Sequence, residues 1–98
     1  MSLPVFLRPQ ADIDVRRIFE DLELVREGLG SKFMARLSEM LERIESLPEL
    51  YGVVWKDVRA ARLKKFRYVV YYIVLSERVE VLAVLHGARD ESAWKSRA

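Results

Sequence analysis

The chain has 98 residues, of which 51% are hydrophobic and 33% charged, and its formal net charge is +2. This length suits one domain covering residues 1–98, with a single core. With no cysteine and one histidine, disulfides, thiolate metal sites and a cysteine nucleophile are excluded. No apolar run approaches the roughly 20 residues that cross a bilayer, and the first residues lack the basic start of a signal peptide. We therefore expect a cytoplasmic domain that binds no membrane, metal or cofactor.

The first half of the chain predicts a short strand and two helices. Val5-Phe6-Leu7 is compatible with a first strand that ends before Pro9. Helical periodicity then begins near Ala11, and Gly28 and Gly30 interrupt it. Ser31 is positioned to cap a second helix, which Pro48 ends. The apolar positions of the two helices step by three and four residues: Val15, Ile18, Leu22, Val25 and Leu29, then Phe33, Leu37, Met40, Ile44 and Leu47. A short link between two amphipathic helices predicts a helical hairpin.

From Val53 the pattern changes to alternation, which predicts one irregular strand over residues 53–63. Lys64-Lys65 links it to a run that is apolar at almost every position from Tyr68 to Leu75, as expected of a central strand covered on both faces. After the polar break at residues 76–78, residues 79–86 predict the last strand, and residues 91–97 a short tail helix. The predicted fold class is α+β, in which the helical hairpin packs on a curved, mainly antiparallel four-stranded sheet in the order β-α-α-β-β-β.

The charge is unevenly distributed along the chain. Residues 1–50 carry 7 Lys/Arg and 10 Asp/Glu, a balance of −3, whereas residues 51–98 carry 10 and 5, a balance of +5. Such a basic segment attracts polyanions or an acidic partner, or it protects a strand edge from aggregation. Both interpretations stay open at this point. Within residues 56–67 one acidic residue, Asp57, stands against six basic ones: Lys56, Arg59, Arg62, Lys64, Lys65 and Arg67.

Few catalytic arrangements are available to this chain. The four glycines do not form a phosphate-binding loop. RNA cleavage is chemically open, because attack by a ribose 2′-OH needs a base, an acid and positive charge on the phosphate. His86, Arg89 and Arg67 would be the catalytic candidates of an endonuclease, although a lone histidine at a strand end also suits a structural role. Trp94 with Arg97 is either an anchor for a partner or a tail docked on its own sheet.

Three stretches together resemble one known family. They are Val58-Arg59, residues 66–72, and residues 79–90 with their His-Gly-Ala-Arg-Asp ending. Pro9 to Asp14 is similar to the family's first-helix opening, residues 33–48 to its second helix, and Trp94 with Arg97 to its tail. On these residues the chain resembles the RelE/ParE toxin superfamily of type II toxin–antitoxin systems, along nearly its whole length.

The resemblance implies a growth-inhibiting toxin that a cognate antitoxin neutralises. RelE-like members cleave mRNA on the ribosome, and ParE-like members inhibit DNA gyrase. Tyr68 stands where RelE-like toxins place an arginine, and Trp94 where they place a catalytic tyrosine. Since tryptophan has no phenolic proton to give, these departures argue against RNA cleavage, and the His-Gly-Ala-Arg-Asp ending favours the ParE-like branch and a gyrase target. The alternatives are a ribosome-dependent mRNA endonuclease and a non-toxic degenerate binding module.

Physical reasoning indicates where partners bind. An antitoxin tail is expected to lay an apolar face on the helical hairpin, at Ile18, Leu22, Leu37 and Leu41, or to pair with an exposed strand, and its acidic residues would complement residues 56–67. The expected assembly is a homodimer or a toxin–antitoxin hetero-oligomer. Toxicity is expected to depend on Arg59, Arg67, Arg89 and Trp94. The expected surface for the target or for nucleic acid is larger and consists of Arg59, Arg62, Lys64, Lys65, Arg67, Tyr72, Arg89, Asp90, Trp94 and Arg97.

Overall fold

The structure, a computed structural model, describes residues 2–98 and has the predicted α+β class. The elements in chain order are β1 (Val5–Leu7), α1 (Pro9–Val25), α2 (Leu29–Ser46), β2 (Val53–Trp55), β3 (Val58–Arg62), β4 (Tyr68–Val74), β5 (Val79–His86) and α3 (Ser92–Lys95). The five strands form one sheet in the order β1-β5-β4-β3-β2, in which β1 is parallel to β5 and the other neighbours are antiparallel.

The prediction of four strands was wrong by one, because a tight turn divides residues 53–63 into a hairpin. Lys56 adopts the left-handed conformation there, with φ of 52°, so the chain reverses between Trp55 and Val58. The reversal could not be predicted from the sequence, because the turn lacks the Asn-Gly or Asp-Gly pair that is typical of a two-residue hairpin turn. The strands on either side contain only three and five residues.

The helical hairpin forms as predicted, but a different residue caps its second helix. α2 begins at Leu29, two residues before Ser31, and Gly28 precedes it with φ of 88°. Glu23 of α1 supplies the cap: its carboxylate accepts hydrogen bonds from the backbone N–H of Gly30 (2.7 Å) and of Gly28 (3.3 Å). The free N–H groups at a helix start need such an acceptor, and here it comes from the preceding helix.

Both faces of the central strands are covered, as predicted for β4. One face packs against the hairpin through Phe33, Leu37 and Ile44. The other face packs against Trp94 of the C-terminal tail. A β-bulge interrupts the pairing of β4 with β5. Tyr71 pairs with Ala83 and Tyr72 with Val81, which leaves Leu82 as the extra residue in β5. The bulge therefore places Leu82 and Ala83 in succession under the tail.

The bulge lies where β1 ceases to cover the outer edge of β5, since the pairing of β1 ends at Val81. Two long-range side chains satisfy the backbone beyond that point. The N–H of Val84 donates to Asp14 Oδ2 of α1 (3.0 Å), and the carbonyl of Leu82 accepts from Arg97 Nη1 (3.2 Å). Asp14 and Arg97 also pair with each other at 2.6 Å. This contact fastens the C-terminal tail to the edge of the sheet.

Candidate functional site

Three of the basic residues that the sequence singled out, Arg62, Arg67 and Arg89, converge at one end of the sheet, where β4 begins and β5 ends. Tyr68 and His86 are paired there. On one side of them lies a cavity of about 350 Å³ lined by Arg62 and Arg67. On the other side a cavity of about 180 Å³ is lined by Arg17 and Arg89. We call these two adjoining cavities, with Tyr68 and His86 as their common wall, the cationic cleft.

Backbone hydrogen bonds hold the cleft in shape. The N–H of Gly87 donates to the carbonyl of Arg67 (2.7 Å), and that of Leu63 to the carbonyl of Tyr68 (3.0 Å). These bonds tie the β3–β4 connection to the ends of both central strands. Gly87 lies close to a neighbouring guanidinium, since a Cβ at this position would be in ordinary van der Waals contact with Arg62 Nη1, at 3.4 Å. The side chains at the cleft therefore project from a braced strand end.

His86 has a defined hydrogen-bonding role in this wall. Its Nδ1 accepts a hydrogen bond from the backbone N–H of Ala88 (3.0 Å), so that a neutral ring carries its proton on Nε2. Tyr68 meets the imidazole edge to face, with ring centres 5.7 Å apart. Burial, and then the nearby charge of Asp21, raise the pKa of Tyr68. Tyr68 is consequently a neutral phenol at physiological pH, and Nε2 of His86 is a donor.

The arginines of the cleft differ from most others in the chain by having no carboxylate partner. Among residues 2–98, no ion pair joins Arg17, Arg62, Arg67 or Arg89 to an acidic side chain, and all four are exposed. Elsewhere the arginines that form ion pairs are Arg8, Arg16, Arg36, Arg59, Arg78 and Arg97. Uncompensated positive charge around a concave surface attracts anions.

Only part of the predicted target surface lies at this cleft. Arg62, Arg67 and Arg89 line it, and Lys64 and Lys65 are exposed in the adjoining β3–β4 connection. Asp90 follows, but its Oδ1 accepts a hydrogen bond from the backbone N–H of Ser92 (2.9 Å). This bond lowers the pKa of Asp90 and starts the tail helix.

Arg59 and Tyr72 hold a loop instead of facing a partner. Arg59 Nη1 donates to the carbonyl of Tyr51 (2.7 Å). The hydroxyl of Tyr72 donates to the carbonyl of Pro48 (2.8 Å), and its side chain is 0% exposed. The structure therefore removes Tyr72 from the predicted surface, because strand alternation turns its ring under the helices. Arg59 is mostly covered, with 19% of its side chain exposed.

Trp94 and Arg97 belong to a docked tail, the second of the two alternatives. Trp94 is 4% exposed and stacks on Tyr71, with ring centres 4.6 Å apart and planes inclined by 13°. Trp55 meets it edge to face at 6.2 Å. Arg97 is engaged by Asp14. Both tail residues are thus committed to the fold and are not open contact positions.

The predicted antitoxin surface also needs correction. Ile18 and Leu37 are 7% and 2% exposed and belong to the core, while Leu22 and Leu41 pack at its margin. The apolar side chains of the helical hairpin are therefore buried against the sheet and are not available to a partner. Exposed apolar side chains cluster instead between the end of α2 and β2: Leu47 (51%), Leu50 (53%), Val53 (50%) and Val54 (53%). Leu47 and Leu50 border an apolar cavity of about 340 Å³.

Sequence reasoning missed two functional candidates, Arg17 and Asp14. Both lie on α1, far from the basic segment in sequence, and the packing of α1 against β5 brings them to the cleft and the tail. Neither stands out in the helical pattern. Residues 47–54 carried no such signal either, because the sequence pattern assigned Leu47 to the second helix and Val53 and Val54 to a strand.

In the part of the chain that the structure describes, neither a metal site nor a membrane span adds to this arrangement. Within residues 2–98, no group of three or more histidine and acidic side chains is placed to hold a metal ion. No helix in that range has the length and apolar character that a membrane span requires. The chemistry of the site is that of arginine, histidine and a neutral phenol.

Comparisons with known proteins agree with the fold and the sequence pattern. Residues 5–91 match the family model described as the ParE toxin of type II toxin–antitoxin system, parDE. Toxin ParE2 of two Mycobacterium tuberculosis strains, CDC 1551/Oshkosh and H37Rv, is 35% identical over 52 residues, which are 53% of this chain and 50% of each relative.

A solved structure described as the chromosomal ParDE TA system from P. aeruginosa has a chain with the same fold. Its TM-score is 0.75 at 12% identity, and the match covers 87% of this chain and 96% of that one. The predicted fold class and the predicted family are both confirmed by these matches. The chain belongs to the ParE toxin family of type II toxin–antitoxin systems.

Proposed function

We propose that this chain arrests growth by binding DNA gyrase in the cytoplasm and that a cognate antitoxin neutralises it. Membership of the ParE family supports the toxin role. The observation that carries the choice of contact surface is the cationic cleft, where four exposed arginines meet without carboxylate partners. Gyrase acts on DNA, and a basic cleft suits a target that carries a high density of negative charge.

Binding is favoured over RNA cleavage by the chemistry of the cleft. An endonuclease needs groups that transfer protons at the reacting phosphate. Tyr68 is the tyrosine at the cleft, and its raised pKa keeps it protonated, so that it cannot accept a proton and is a weaker acid than a free phenol. Trp94 is buried and has no proton of this kind to give. His86 remains a proton carrier, so ribosome-dependent mRNA cleavage with His86, Arg67 and Arg89 is the second candidate function.

The antitoxin is proposed to cover the exposed apolar residues Leu47, Leu50, Val53 and Val54. Burial of such side chains on association is favourable by roughly 25 cal/mol per Å² of apolar surface, and disordered antitoxin segments fold as they bind. Lys64 and Lys65 in the β3–β4 connection would complement acidic residues of the same segment. A homodimer remains an alternative occupant of this surface.

The test measures DNA supercoiling by purified gyrase in the presence of the purified chain. We expect inhibition by the unaltered chain and loss of inhibition when Arg62→Glu and Arg67→Glu are combined. Arg26→Glu is the control for a charge reversal elsewhere, since Arg26 is exposed, forms no ion pair within residues 2–98 and lies outside the cleft. Full supercoiling activity at every concentration of the unaltered chain would exclude gyrase as the target.

Two further measurements separate the alternatives. Mapping of mRNA ends after induction would reveal new cleavage sites if the chain acts as an endonuclease, and His86→Ala would remove them. Normal growth after induced expression, without any antitoxin, would favour the non-toxic binding module. We expect growth arrest with intact mRNA.

A further inference from the structure

We propose that the cationic cleft grips the phosphate backbone of a single nucleic-acid strand, with one phosphate in each of its two cavities. Within the proposed function, this strand would be DNA held by the topoisomerase, so the inference rests on that proposal for its setting. It is tested without gyrase, however, and the two proposals can therefore fail separately. The wall between the cavities, formed by Tyr68 and His86, would lie beside the nucleotide that links the two phosphates.

The first argument is the distribution of unpaired charge. Each cavity is lined by two arginines without a carboxylate partner: Arg62 and Arg67 in the larger one, and Arg17 and Arg89 in the smaller one. Guanidinium groups bind phosphate through two parallel N–H donors. Leaving four such groups close together costs electrostatic free energy unless an anion occupies the space between them. Two pairs of arginines on two sides of one wall fit a ligand with repeated negative charge.

The second argument is the nature of the wall. The imidazole of His86 keeps Nδ1 occupied by the N–H of Ala88, so its Nε2–H is the donor that remains for a phosphate oxygen. Tyr68 contributes an aromatic ring, and Phe66 lines the larger cavity beside it. Aromatic side chains between cations are typical of proteins that bind single strands, because bases stack on the rings while phosphates meet the cations.

The acidic residues at the cleft are confined to the smaller cavity. Asp14 borders it, but its carboxylate is engaged by Arg97 and by the N–H of Val84. Asp21 also borders it, is exposed, and its charge reaches Tyr68, so the smaller cavity is the less positive of the two. The larger cavity has no acidic residue in its lining. A strand that enters the larger cavity first therefore meets only positive charge.

An acidic protein segment is the competing ligand. Carboxylates also pair with arginines, but on a peptide they occur at irregular intervals and bring no ring to stack against Tyr68. Evenly spaced phosphates match two adjoining cavities better. The structure therefore favours nucleic acid, and the experiment includes the peptide as a direct competitor.

The experiment measures fluorescence anisotropy of a labelled single-stranded DNA of about 12 nucleotides, within the usual range of single-strand site sizes, titrated with the purified full chain. The same sequence as RNA and a polyglutamate peptide of equal charge form the other arms. Each titration is repeated over a range of salt concentrations. Circular dichroism of every variant confirms that the fold is unchanged.

We expect the logarithm of the affinity for DNA to fall with the logarithm of salt concentration with a slope of about −1.4, since each neutralised phosphate of a single strand contributes about −0.7. Arg62→Ala with Arg67→Ala should remove about half of this slope and weaken binding at least about tenfold at low salt. Arg17→Ala with Arg89→Ala should do the same. Arg26→Ala, which removes a positive charge outside the cleft, should change affinity less than about twofold.

Several results would overturn the proposal. Equal weakening by Arg26→Ala would show that the contact is diffuse and not confined to the cleft. Polyglutamate bound as tightly as DNA would identify an acidic protein as the ligand. Binding of RNA but not DNA would show that the ribose hydroxyl is required, and not the phosphates alone. Comparable affinity for DNA and RNA, with loss in both cleft variants, supports recognition through the backbone.

Discussion

Replacement of Asp14 by alanine tests whether the C-terminal tail is held by the contact described above. The side chain of Asp14 is 9% exposed and that of Arg97 is 20% exposed. Asp14 Oδ2 lies 2.6 Å from Arg97 Nη1 and 3.0 Å from the backbone nitrogen of Val84. The substitution therefore removes the acceptor of a charged donor and of a backbone donor at once.

The expected loss in the free energy of unfolding follows from the broken ion pair and the lost acceptor of the Val84 N–H. Breaking a buried ion pair by deleting one partner costs about 3–5 kcal/mol, and the partial exposure of Arg97 places this site at the lower end. An unsatisfied backbone N–H adds about 1 kcal/mol or more. We expect Asp14→Ala to lower the free energy of unfolding by about 3–4 kcal/mol. Asp14→Asn should cost less, because the amide oxygen still accepts from Val84.

The assay is chemical denaturation followed by tryptophan fluorescence, which reports on Trp94 and Trp55 at the tail contact. Asp14→Ala, Arg97→Ala and the double variant form a double-mutant cycle. Because the two residues share one contact, we expect the double variant to be more stable than additivity predicts, by about 1–3 kcal/mol. Additive effects, or a loss below about 1 kcal/mol for Asp14→Ala, would refute the assignment of this pair as the tail anchor.

Four further predictions concern the free energy of unfolding and can be checked by the same denaturation assay. Tyr72→Phe should cost about 1–2 kcal/mol, because the buried Pro48 carbonyl loses its donor, and an unchanged denaturation midpoint would count against that bond. Gly30→Ala should lower the free energy of unfolding by about 1–3 kcal/mol, because a Cβ at this position in α2 would lie 2.8 Å from the carbonyl oxygen of Phe19. Gly52→Ala is the neutral control, because a Cβ there would have nothing within 4 Å. Trp94→Ala should cost about 3–5 kcal/mol in unfolding free energy, and a smaller effect than that of Phe6→Ala, an exposed aromatic control, would contradict the docked tail. Burial raises the pKa of Tyr68, Tyr71 and Tyr72 above 10.0. The free energy of unfolding that these side chains contribute should therefore be constant below the pKa of unfolded tyrosine and fall as the pH rises above it. In an alkaline denaturation series Tyr72→Phe should make this decline shallower, and an identical decline would argue against the contribution of Tyr72.

The sequence determined the helical hairpin and the central strands, because local periodicity reports directly on which face of an element is buried. It also identified the family through residues 79–90 and their neighbours. The missed strand boundary at Lys56 has a local cause, since a lysine with positive φ carries no turn signal. The cap from Glu23 was missed because the acceptor belongs to the first helix, whereas its partners, Gly28 and Gly30, lie at the start of the second one.

Only the tertiary structure decided which candidate residues are available to a partner. Periodicity shows that Leu37 and Tyr72 face one side of their elements, but whether that side meets solvent depends on what packs there, and here the helices and the sheet cover each other. Basic residues were visible in the sequence as a run, yet Arg17 joins Arg62, Arg67 and Arg89 because α1 lies against β5. Convergence of this kind depends on contacts between distant segments, and local composition carries no record of them.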